Sequence, residues 1–210
     1  MITTAKFHPE HCNLVGFSNS RGQAKLHDLR ERALCSQHRN VASFSANSIP
    51  ADTDGLFDEL ISSVSDINFG GRYLFVRDFL TLKVWDIAMP REPVSVVNVA
   101  ESLRPRLGEL WETERIFDRF EVAVSPSGDE FATGSYGNTV SVWGGADGEE
   151  HGWFEAGHQQ LIKRPWRGPP ANARLEQRPL SVVWHPSERM LALAVDNNLY
   201  IHGEPLASLS

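Results

Sequence analysis

Hydrophobic and polar residues alternate along this chain in short runs, and four of those runs share one layout. Gly22-Gln-Ala-Lys-Leu-His-Asp28, Leu80-Thr-Leu-Lys-Val-Trp-Asp86, Asn138-Thr-Val-Ser-Val-Trp-Gly144 and Asn198-Leu-Tyr-Ile-His-Gly203 each end in an aromatic residue or His followed by Asp or Gly. Their end points lie 58, 58 and 59 residues apart. Two further alternating pieces precede each run. They are Ala5–Pro9 with Leu14–Ser18, Ser65–Phe69 with Tyr73–Val76, Phe120–Val124 with Glu130–Thr133, and Leu180–Trp184 with Met190–Ala194. A period of two sends successive side chains to opposite faces, and β-branched and aromatic residues fit a pleated surface. Gly, Pro, Asn and Ser at the breaks supply turns, so the pattern predicts strands joined by hairpins and an all-β chain.

Three strands and a more variable fourth, repeated with Trp-Asp closing one copy and His-Pro opening two, predict WD-repeat β-propeller blades. The blades are expected at approximately 1–42, 61–99, 116–155 and 178–210. Such repeats usually recur at about 40–45 residues, so the longer period here implies insertions of roughly 15 residues. These fall at 43–60, 100–115 and 146–178. Long loops on a rigid scaffold are frequent binding elements, and a merely solvated loop is the plain alternative for each.

Composition narrows the function. The 20 Lys and Arg against 27 Asp and Glu give a formal charge of -7, which opposes nucleic-acid phosphates and favours basic partners. No stretch approaches the ~18 consecutive apolar residues of a membrane span and no signal-like segment opens the chain, so a soluble cytoplasmic protein, in the nucleus as well, is expected. Cys12 and Cys35 are too few for a disulfide framework. His8, His11 and Cys12 lack a second pair of ligands at zinc-site spacing, and His185-Pro186 repeats His8-Pro9, which points to a structural His-Pro turn. Asp66, Asp78 and Asp86 fall at strand boundaries or turns, where carboxylates most often accept hydrogen bonds. With no nucleophile elbow, phosphate loop or Cys-x-x-Cys, no catalytic residue, metal or cofactor is expected. Lys163, Arg164, Arg167, Arg174 and Arg178 make a basic stretch with a lone Glu176, to be read as a flexible solvated loop or as a dock for an acidic partner.

The run Phe57-Asp-Glu-Leu-Ile-Ser-Ser-Val-Ser-Asp-Ile-Asn-Phe69, with Gly71-Arg-Tyr-Leu74 and Arg77-Asp-Phe-Leu-Thr-Leu-Lys-Val-Trp-Asp86, resembles the 55-kilodalton regulatory B-type family of protein phosphatase 2A. Phe7-His-Pro9, Ala33-Leu-Cys35, Ile116–Glu121, Thr133-Gly-Ser-Tyr136, Trp184-His-Pro186 and Asn197–Ile201 resemble other segments of that family, in its order. The resemblance implies about four blades of a seven-bladed ring, a non-enzymatic regulatory subunit that sits next to the phosphatase scaffold and catalytic subunits, and recruitment of phosphoprotein substrates with basic segments. It also carries partner-binding roles onto Phe57 and Glu59 in the first insertion and onto Trp111, Glu112, Glu114, Phe117 and Arg119 in the second. Aromatic rings offer rigid contact area and carboxylates select Lys or Arg; Trp111 and Phe117 serving only as caps on the core is the competing expectation.

The sequence departs from the family in three respects. It aligns with the later part only, so the earlier blades and the hairpin arm that grips the scaffold have no counterpart. Position 144 is Gly where blades often carry Asp, and the family's strongly basic last insertion is milder here. Four blades of a seven-blade curvature leave apolar faces open, which suggests a truncated product. A generic WD-repeat interaction scaffold and a non-functional fragment are the alternative readings.

Overall fold

The structure, a computed structural model, describes residues 1–30, 41–45, 57–158, 161–170 and 172–203. Its strands form four antiparallel sheets. The first contains β1 (Ile2–Phe7), β2 (Leu14–Asn19), β3 (Gln23–Asp28) and β4 (Ala42–Ser45); the second, β5 (Asp66–Gly70), β6 (Tyr73–Arg77), β7 (Thr81–Asp86) and β8 (Ser95–Asn98). The third contains β9 (Val122–Val124), β10 (Glu130–Ser135), β11 (Thr139–Gly144) and β12 (Glu150–Glu155). The fourth has three strands among the described residues, β13 (Ser181–Trp184), β14 (Leu191–Val195) and β15 (Asn198–His202). Each sheet is an up-and-down meander, and the four repeated runs are its third strands. Strand β4 reaches into the interval 43–60 expected to be insertion, and residues 46–56 of that interval, like Cys35, lie outside the described residues.

The core lies between sheets. Leu26 and Phe44 of the first sheet meet Ile67, Leu74 and Trp85 of the second. Phe75, Leu82 and Val84 meet Val122, Phe131 and Trp143 of the third. Val140, Val142 and Phe154 meet Val182, Leu191 and Leu193 of the fourth. Strands β10 and β11 are therefore buried along both faces, whereas the end sheets leave Phe7, Val183, Leu199 and Ile201 exposed. Stacked sheets of this kind are propeller blades.

The first strands of successive blades lie side by side and are stitched by polar side chains. Asp66 accepts from Lys6 Nζ at 2.8 Å and from the Val122 amide at 3.0 Å, and Asn68 Nδ2 donates to the Val122 carbonyl at 2.9 Å. Burial pushes the Asp66 carboxyl up, with Lys6 pulling the other way. Turns use the residues singled out in the sequence. His8 Nδ1 accepts from the Glu10 and His11 amides, each at 3.2 Å, and His185 Nδ1 accepts from Ser187 and Glu188 in the same way. Both His-Pro turns thus use the imidazole Nδ1 as an acceptor. Asp28 and Asp86 each accept the amide two residues on, at 2.9 Å. Where Gly144 replaces that Asp, Asp147 closes the next turn by accepting the Glu149 amide at 3.0 Å.

Candidate functional site

The described part of the first insertion and the second insertion fold onto one edge of the second and third blades. Residues 57–62 carry a short helix α1 (Asp58–Ser62), and residues 101–117 form a 3-10 turn, the helix α2 (Leu107–Glu112) and a second 3-10 turn at Arg115–Phe117. Their apolar sides meet in one cluster: Ile61 from α1, Leu103, Leu107, Leu110 and Ile116 from the second insertion, and Phe79, Phe120 and Tyr136 from the blades. Helices this short are marginal alone, so this cluster is what fixes them.

Beneath the cluster, the hairpin after β6 is set by a buried polar pair. Asp78 accepts from the Leu80 and Thr81 amides, from Thr81 Oγ1 and from Lys83 Nζ at 2.7 Å. Arg77, fully buried, donates to the carbonyls of Asp78, Phe79 and Thr81, and its loss of solvent pulls its pKa down to about 10. Asp78 and Arg77 Nη1 are thus spent on holding the turn, while Arg77 Nε and Nη2 are buried without a hydrogen-bond partner among the described residues.

On the outer side the cluster presents three rings. Phe57 packs edge-on to Trp111 at 6.4 Å between centroids, and Trp111 lies 5.7 Å from Phe117. Phe57 is half-buried, whereas Trp111 and Phe117 are 47% and 53% exposed. Glu59, Glu112 and Glu114 are exposed on the same two insertions, and no ion pair engages them among the described residues. A hollow of about 300 Å³ opens beside them, lined in part by Glu59, Leu60, Ser65, Phe117 and Arg119. The Arg119 guanidinium reaches across to the Thr3 carbonyl of the first blade at 3.1 Å. All seven residues singled out in the sequence are described, and the three rings, 54 and six residues apart in the chain, become one row.

Larger hollows lie around Glu130, which binds His151 Nδ1 at 2.9 Å and Arg189 at 2.5 Å. One is lined by Glu130, Glu149 and Glu150 against Lys163, Arg164 and Arg189, and the other by Asp129, Glu130 and Glu188 against Arg189. Among the described residues no group of three or more His, Cys, Asp or Glu is placed to hold a metal ion.

Sequence reasoning missed how firmly the last insertion is tied down. Trp166 is buried, donates from Nε1 to the Val99 carbonyl at 2.9 Å and packs on Trp153. Ser102 Oγ donates to the Pro169 carbonyl at 2.8 Å, so the stretch around Lys163 and Arg167 is pinned across two blades and is not a free loop. Arg178 pairs with Asp118 at 2.7 Å. A Trp inside a polar, proline-rich stretch was the available signal, since so large an apolar surface is costly to leave in water.

Comparison with known proteins agrees with this architecture. The chain is 38% identical over 230 aligned positions to the B alpha isoform of the serine/threonine protein phosphatase 2A 55 kDa regulatory subunits of Arabidopsis thaliana, covering 96% of the chain and 44% of that protein. It is 35% identical to the B gamma isoform of Rattus norvegicus, covering 99% of the chain and 49% of that protein. The chain thus spans less than half the length of these relatives. No protein-family model matches it. Among solved structures, Raptor of Chaetomium thermophilum superposes with a TM-score of 0.64 over 95% of this chain and 15% of that one, at 15% identity, a likeness of fold.

Proposed function

On the premise that this chain belongs to the B-type 55-kilodalton regulatory family of serine/threonine protein phosphatase 2A, we propose that it is a non-catalytic part of a substrate-recruiting subunit. Its partners are the phosphatase scaffold and catalytic subunits, and its substrates are phosphoproteins carrying Lys- and Arg-rich segments. The observation that carries this reading is the row Phe57, Trp111 and Phe117, the last two of them exposed, with the carboxylates Glu59, Glu112 and Glu114 beside it, which no ion pair engages among the described residues. Exposed rings hold apolar faces of a partner at low entropic cost, while unpaired carboxylates steer and select its cations. The acidic balance of the whole chain adds to that steering.

The test uses the full protein carrying this chain, assembled with scaffold and catalytic subunits. Reversing three rim charges, Glu59→Lys, Glu112→Lys and Glu114→Lys, should lower kcat/KM on a Lys/Arg-flanked phosphopeptide roughly tenfold, from under about 1 kcal/mol per exposed pair. The loss should shrink as salt rises, and the complex should stay assembled. An unchanged kcat/KM in an intact complex would rule the reading out.

A further inference from the structure

One feature of the rim is strained. Glu114 is not glycine, yet it holds a left-handed backbone with φ 58° and ψ 10° between α2 and the Arg115–Phe117 turn. A conformation of this kind costs free energy and persists only where its surroundings impose it.

The surroundings here are specific. Tyr136, at the end of β10 and fully buried, aims its hydroxyl at two acceptors just past the strained residue: the Arg115 carbonyl at 2.7 Å and Asp118 Oδ2 at 2.9 Å. One hydroxyl proton faces both, and the Asp118 carboxylate is balanced by Arg178 Nε at 2.7 Å. Arg115 in turn donates from Nη1 to the Leu175 carbonyl at 2.7 Å. The Tyr136 ring is wedged edge-on against Phe120 at 5.1 Å and near Phe79 at 6.2 Å, so the hydroxyl has little freedom to follow a moving loop. Burial and the neighbouring Asp118 charge keep the phenol protonated far into the alkaline range. None of these three side chains is exposed on the rim, and all act on the turn that lies between Glu112 and Arg119.

We propose that Tyr136, Asp118 and Arg178 are positioning residues that lock the 114–118 turn and thereby set how Glu114 and Phe117 meet a basic partner. This rests on the recruitment reading above. A locked rim binds without having to order itself first, and an unlocked one must spend part of its contact energy on ordering.

The experiment measures binding of a synthetic helix-forming peptide of Lys, Arg and Leu, labelled with fluorescein, to the full protein. Tyr136→Phe should weaken binding roughly tenfold, about the effect of one hydrogen-bonded contact; Arg178→Met, which removes the ion pair to Asp118, should weaken it roughly threefold to tenfold, and Arg178→Lys should restore most of that loss. In a Glu114→Gln background the same Tyr136→Phe change should cost much less, because the group it positions is gone. If Tyr136→Phe does not fold, Arg178→Met, at the partly exposed end of the set, carries the prediction in both backgrounds. Wild-type affinity in these variants, or an equal loss in both backgrounds, overturns the inference while leaving recruitment standing. Wild-type affinity in the triple charge reversal overturns the recruitment reading, and this inference falls with it.

Discussion

Replacing Gly134 with Ala adds one methyl group near the end of β10 at the point where the segment leading from the last insertion into β13 crosses it. A Cβ there would sit 1.9 Å from the Pro179 carbonyl oxygen and 2.9 Å from its Cγ, a distance that requires one of the two segments to move by more than an ångström. Neither moves freely. Strand β10 is paired on both sides, with Thr133 opposite Ser141 and Val122, and every residue in it is buried. The crossing segment is held by the Glu121 amide donating to the Leu180 carbonyl and the Asn138 amide donating to Gln177, both at 2.9 Å. Overpacking costs about 1–3 kcal/mol, and breaking those two hydrogen bonds adds about 1 kcal/mol each. Ala favours a strand over Gly by about 0.5–1 kcal/mol, so the net loss is about 2–4 kcal/mol. With a urea m-value of about 2–3 kcal/mol/M for a chain this size, the unfolding midpoint should drop by about 1 M. Gly108→Ala is the control: it lies in α2 with nothing within 4 Å of the new methyl, and should stabilise by up to about 1 kcal/mol. A Gly134→Ala midpoint equal to that of the wild type would refute the reasoning, since the crossing would then not depend on a missing side chain.

Two further outcomes follow from the same geometry. Trp166→Phe removes the Nε1 donor to the Val99 carbonyl but keeps most of the ring, so it should cost about 1–2 kcal/mol and speed proteolysis between Lys163 and Arg167, read by limited digestion with trypsin. Acidification should destabilise the fold: burial lowers the pKa of His8, aided by the His11 charge, and burial also lowers that of His202. The unfolded chain then takes up protons near its ordinary value of 6.5 that the folded chain refuses, so stability present above that pH is lost below it. Urea midpoints at about pH 7.5 and about pH 5 should differ in that sense, and His8→Gln should reduce the difference; a profile unchanged by His8→Gln would show that the Nδ1 acceptor is not what titrates.

Much of the blade architecture was legible in the sequence because a sheet covered on one or both faces needs a strict period of two. The four repeated runs therefore appear as third strands, ending at Asp28, Asp86, Gly144 and His202. The His-Pro and Asp turns were legible too, because their hydrogen bonds reach only two or three residues along the chain. Distance in sequence hid the rest. Nothing local distinguishes Trp111, whose ring stands in solvent beside Phe57, from Trp166, whose ring is buried against Trp153. Which aromatic faces outward depends on which elements cover it, and those elements come from other blades.

By itself the sequence determined the strand cassettes, their turns and the acidic, ring-bearing character of the insertions, all properties that depend on near neighbours in the chain. Only the tertiary structure decided that Phe57, Trp111 and Phe117 form one row, that the last insertion is latched by Trp166, and that Gly134 and Tyr136 govern how it crosses and braces the rim. The physical reason is that burial and hydrogen bonding between segments far apart in the chain, such as Tyr136 with Arg115 and Ser102 with Pro169, follow from how the blades and insertions pack, which no local pattern encodes.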